Sequence, residues 1–93
     1  MKPNQEQIRA EIKKLKEMKP KVRHYTGFGD DNHAAIEVQI RVLEEILDVD
    51  DIYDRWDMDD HLCESAIEAR EWLDEGGEPP SGPDGWGSLV EEG

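Results

Sequence analysis

The sequence predicts an all-α fold, a small three-helix bundle with a short extra helical turn and a flexible C-terminal tail. Three observations carry that prediction. Apolar residues recur at helical steps in three separate segments, those segments begin or end on capping or chain-breaking residues, and no stretch alternates in the period of a half-buried strand. The 93 residues suffice for one core, so the expected organisation is a helical domain over 1–76 and a Pro/Gly-rich acidic tail over 77–93.

The first helix is expected over about 4–19, where Ile8, Ile12, Leu15 and Met18 form one stripe. Asn4 followed three residues later by Gln7 is a capping pair, and Pro20 stops the helix. Two glycines and a proline between Lys19 and Gly29 argue for a structured loop. The second helix starts at Asp30, Asp31 or Asn32 and runs to about Leu47, burying Ile36, Ile40, Leu43 and Leu47. A short helical turn is expected over 51–56. The third helix spans about Asp59 to Glu75 with Leu62, Ala66, Ala69 and Leu73 inward, and Gly76-Gly77 ends it. From Glu78 onward, three prolines and four glycines surround one apolar cluster, Trp86 with Leu89 and Val90. That pattern reads as a mobile tail, with groove docking of the cluster as the alternative. Tyr53, Trp56 and Trp72 are the available core fillers, and self-association into a homo-oligomer is the simplest remedy if one chain cannot bury them.

Charge is the most informative compositional feature. The chain carries 11 basic residues against 24 acidic ones, a formal net charge of −13, which disfavours direct binding to nucleic acid or anionic lipid. Residues 1–25 nevertheless hold eight basic against three acidic side chains, net +5, while the remaining 68 hold three against 21, net −18. The molecule is polarised. Glu64, Glu68, Glu71 and Glu75 step along one helix face, about 5 Å apart at roughly 1.5 Å rise per residue. Asp48, Asp50, Asp51, Asp54, Asp57, Asp59 and Asp60 add further carboxylates. Two readings stay open: a solvated surface that only confers solubility, or a face that imitates a polyanion and occupies a basic groove on a partner.

No motif supports catalysis. The Asp48–Asp54 run places Tyr53 where a calcium loop starting at Asp48 needs glycine, so it does not make that site. His24, His33, His61 and Cys63 lack paired zinc spacing. Cys63 stands among Asp59, Asp60 and Glu64, which disfavour a thiolate nucleophile. No metal and no cofactor are expected. A lone cysteine, an N-terminus leading into a polar helix and the lack of a long apolar run point to a soluble protein of the reducing cytoplasm, without a membrane span. The 19–33 loop is the strongest local candidate for a ligand site. Lys19, Lys21 and Arg23 supply cationic donors, Tyr25 and Phe28 supply stacking faces, and His33 sits on the first turn of the next helix. Those parts suit a nucleotide; the competing reading has Asp30 and Asp31 capping the helix and His33 bonding locally.

The stretch Phe28-Gly29-Asp30-Asp31-Asn32-His33-Ala34-Ala35-Ile36, with Tyr53-Asp54-Arg55-Trp56 after it, resembles small acidic proteins encoded by bacteriophages and prophages. The resemblance implies a compact accessory protein of a kind that blocks host defence, as anti-CRISPR proteins and nucleotide-signal sequestering proteins do. The leading expectation is therefore a non-enzymatic inhibitor whose acidic face engages a basic surface of a host defence protein. A nucleotide-sequestering protein and a structural or assembly protein are the alternatives.

Overall fold

The computed structural model describes residues 2–25, 31–48, 60–82 and 85–90, and places in them three α-helices and no strand. α1 spans Gln5–Met18, α2 spans Asn32–Asp48 and α3 spans Asp60–Glu75, with 3-10 turns at Lys19–Lys21 and Trp86–Leu89. This is the small all-α bundle read from the sequence. The turn expected over 51–56, with Tyr53 and Trp56, lies outside the described residues.

α1 begins as its sequence dictates. The Asn4 side chain accepts the Gln7 N–H at 2.8 Å and the Gln7 side chain accepts the Asn4 N–H at 2.9 Å, a complete capping box. Pro20 does not end the chain's helical path abruptly; it sits in the first turn of the 3-10 segment, where an N–H has no partner within that turn, and the strap Val22–Tyr25 follows.

α2 lies between the other two helices and packs on both. Ile36, Ile40 and Leu43 join Ile8, Ile12 and Leu15 of α1, with Val22 and Trp72 closing the cluster. Val38 and Val42, from the adjacent face of α2, meet Ala66 and Ala69 of α3. Those alanines let α3 approach closely, since the separation of packed helices follows the side chains at the contact. Trp72 is buried, and Leu73 is half-buried against both clusters. α3 then stops at Gly76 and Gly77, both left-handed with φ of 81° and 84°, and the Gly76 N–H bonds the Trp72 carbonyl at 2.9 Å.

The tail departs from the flexible segment expected over 77–93. Its described residues dock on the bundle. The Ser81 backbone N–H donates to Glu11 Oε2 at 2.8 Å and the Ser81 hydroxyl donates to the other oxygen of the same carboxylate; both residues are buried. Trp86, Leu89 and Val90 pack on the main core, Val90 forms an antiparallel bridge with Val22, and the Arg23 N–H reaches the Leu89 carbonyl at 3.3 Å. The physical reason is that Glu11 interrupts the apolar stripe of α1 and needs donors that only another segment supplies. Prolines at 79 and 80 also reduce the conformational freedom that docking removes. The apolar cluster thus docks, on its own chain.

Candidate functional site

The bundle sorts the charged side chains onto two regions. α3 turns Ser65, Ala66, Ala69 and Trp72 inward, and this rotation leaves Glu64, Glu68, Glu71 and Glu75 exposed. Of the other acidic residues singled out in the sequence, Asp50, Asp51, Asp54, Asp57 and Asp59 lie outside the described residues, as do the side chains of Asp48 and Asp60. The tail continues the acidic face. Glu68, Glu71 and Glu75 of α3 and Glu78 beyond it line a cleft of about 300 Å³, against the apolar surface of Trp72 and Pro79.

Glu68 is the electrostatically perturbed member of this face. Desolvation raises its carboxyl above the ordinary value, and repulsion from Glu64 and Glu71 adds to that, outweighing the hydrogen bond from Gln39. A guanidinium or ammonium group brought into the cleft would relieve the repulsion. Gln39, wholly buried on α2, connects this site to the tail: its Nε2 donates to Glu68 Oε2 at 3.2 Å, and its Oε1 accepts the Trp86 indole N–H. Docking of Trp86 therefore orients the amide that steadies Glu68. Sequence reading missed Gln39 and Glu11. The available signal was their register, three residues after a core isoleucine and four before a core leucine, where an uncharged apolar side chain would be the default.

The second region gathers the strap and the start of α2. Tyr25 is 60 % exposed, and Lys21 and Arg23 are exposed beside it. Lys19 forms an ion pair with Glu37. His33 Nε2 donates to the Val22 carbonyl at 2.8 Å, and its ring stacks on that of His24 with centroids 3.8 Å apart. Phe28 lies outside the described residues. Asp31 fills the helix start: its side chain accepts the His33 N–H at 3.0 Å, and its carbonyl accepts the Ala35 N–H at 3.1 Å. Desolvation opposes ionisation of Asp31, but the His33 N–H, the His24 imidazole and the Ala34 N–H together hold its carboxyl below the ordinary value. An anion arriving at this helix end would meet a carboxylate already in place. The structure thus places Lys19, Arg23, Tyr25 and His33 around the start of α2, each engaged in contacts within the chain.

Among the described residues, no three His, Cys, Asp or Glu side chains are placed to hold a metal ion, and no helix is long and apolar enough to cross a membrane. Compared with known protein families, curated proteins and solved structures, the chain gives no match in any of the three.

Proposed function

We propose that this protein is a non-enzymatic inhibitor of a bacterial defence system, acting in the host cytoplasm by placing its acidic face in the basic groove of a nucleic-acid-binding host protein. The observation that carries the reading is the α3 face, where Glu64, Glu68, Glu71 and Glu75 are exposed together and extend through Glu78 into a cleft. One carboxylate per helical turn is sparser than the roughly 1.7 Å charge spacing of duplex DNA, so α3 alone matches only part of a polyanion. The cleft adds what a plain charged helix lacks. Its apolar wall can take the stem of an arginine or lysine while the carboxylates take the head. The resemblance to small acidic phage proteins points to the same class of activity, including anti-CRISPR action.

The test is competitive. A fluorescent target duplex is bound to purified RNA-guided DNA-recognition effectors, and its anisotropy is followed as this protein is added. Loss of DNA binding that weakens with salt and is absent for the Glu64→Gln/Glu68→Gln/Glu71→Gln variant is expected. Equal inhibition by the variant would overturn the assignment of this face, and a lack of inhibition across such effectors would remove the DNA-mimic reading.

A further inference from the structure

We propose that the docked C-terminal tail is a working half of the acidic site, with Trp86 and Gln39 as positioning residues through which tail docking and capture of a cationic side chain strengthen each other. The inference rests on the cation-accepting reading of the α3 cleft. That cleft has two walls of separate origin. Glu68, Glu71 and Glu75 come from α3, whereas Glu78, Pro79 and Pro80 come from the tail, so an undocked tail leaves an open helix face where the cleft was. The tail wall is itself folded: the Gly82 N–H donates to the Pro79 carbonyl at 2.9 Å, and the Gly85 N–H to the Gly82 carbonyl at 2.8 Å. Its near end is held by Ser81 on Glu11, its far end by Val90 on Val22.

Between those anchors, Trp86 connects the tail to α3 through α2. An indole N–H can only donate, so the Gln39 atom that meets it is the carbonyl oxygen. The amide nitrogen of Gln39 is thereby turned to Glu68, to whose Oε2 it donates at 3.2 Å. Gln39 is wholly buried and cannot exchange these partners for water. Without the indole, its oxygen loses that donor and nothing fixes which end of the amide faces Glu68.

Docking therefore acts on both walls. It raises the second one, and it holds the Glu68 carboxylate as an acceptor on the first, against desolvation and the repulsion of Glu64 and Glu71. A carboxylate already held in place has less freedom to lose when a guanidinium arrives. By linkage, a cation that engages both walls favours the docked tail by the same factor as docking favours the cation.

The experiment uses the full chain with a hexa-arginine peptide as probe, calorimetry reading its affinity and amide exchange at Ser81 and Gly85 reading tail docking. The peptide should bind the parent and slow exchange at both amides. Trp86→Phe keeps an aromatic ring and deletes the N–H; it should weaken the peptide about two- to tenfold, the span of one net hydrogen bond, and speed the exchange. Gln39→Met, similar in size, should do the same, and adding Trp86→Phe to it should cost nothing further, whereas independent packing defects would add. Glu68→Gln retains a carbonyl for the Gln39 amide, so it should weaken the peptide and leave the tail docked. Tail exchange unchanged by the peptide, Trp86→Phe binding as the parent does, additive losses in the double variant, or a parent that ignores the peptide would each overturn the coupling. Trp86→Phe and Glu68→Gln decide if Gln39→Met does not fold. The inhibitor reading fails separately: peptide coupling as expected, with no DNA-recognition effector inhibited, removes that reading and upholds the coupling.

Discussion

Two buried polar side chains, Glu11 and Gln39, do more for this structure than their number implies. Glu11 is 5 % exposed and holds Ser81 by its backbone and hydroxyl. Glu11→Ala leaves two donors without their acceptor and should destabilise the protein by about 1–3 kcal/mol, read from the urea midpoint, with Ser81 the first amide to lose exchange protection. Glu68 and Asp31 give pH effects of opposite sign. The native state raises the Glu68 carboxyl, so its folded form holds a proton that the unfolded chain has released; its contribution is present at low pH and is lost as pH climbs from the ordinary glutamate range through the raised value. Glu68→Gln should therefore melt at or above the parent near neutral pH, with the difference vanishing in acid. Asp31 is lowered, so its contribution is present above the ordinary aspartate range and disappears as pH falls through the depressed value. Asp31→Asn should lower the melting temperature at neutral pH and converge with the parent in acid.

At the scale of elements, α2 is the member whose loss dissolves the bundle, because it meets α1 on one face and α3 on the next. Leu43 is fully buried, and Leu43→Ala should cost about 2–5 kcal/mol by chemical denaturation, a large share of what a domain of this size has. The junction of α3 and the tail fails differently. A side chain at Gly77 would meet nothing within 4 Å, so Gly77→Ala tests the left-handed backbone at φ +84° alone and should cost about 1–2 kcal/mol. At Gly85 the obstacle is contact: a Cβ there would collide with the Pro80 carbonyl oxygen. Gly85→Ala should undock the tail, seen as faster exchange at Arg23 and Val90, while far-UV circular dichroism keeps the signal of the three helices.

Across the whole molecule, the decisive property is segregation of charge. The basic segment 1–25, through α1 and the turn after it, and the acidic α3 pack on the same central helix, with the tail folded back on the bundle; the radius of gyration of 12.7 Å is close to the roughly 12 Å of a compact domain this long. Converting Glu64, Glu68 and Glu71 to Gln keeps helix propensity and should leave the far-UV spectrum unchanged. It should reduce affinity for a basic partner most at low salt, where exposed charges are least screened, and calorimetry at two ionic strengths measures both effects. Surface ion pairs such as Lys16 with Glu44, about half exposed on each side, should add little to stability.

The amino-acid sequence by itself determined the three helices and the polarity of charge. Apolar spacing, the Asn4–Gln7 box and the Gly76-Gly77 stop are local codes, read within a turn or two of chain. The Glu64–Glu75 stripe was legible for the same reason, since the helix that buries Ala66 and Ala69 must expose it. The docked tail, the Glu11–Ser81 contact and the Gln39 bridge from Trp86 to Glu68 were decided only by tertiary structure. Their partners stand 70, 47 and 29 residues apart, and composition alone, rich in proline, glycine and acid, describes a solvated end. What overrides composition is the requirement that buried polar groups find partners: the tail supplies the donors to the Glu11 carboxylate and to the Gln39 amide oxygen, while α3 supplies Glu68 to the Gln39 amide nitrogen. The stacked histidines belong with these: nine residues apart, they meet because Asp31 and Asn32 fold the strap back onto the helix they begin.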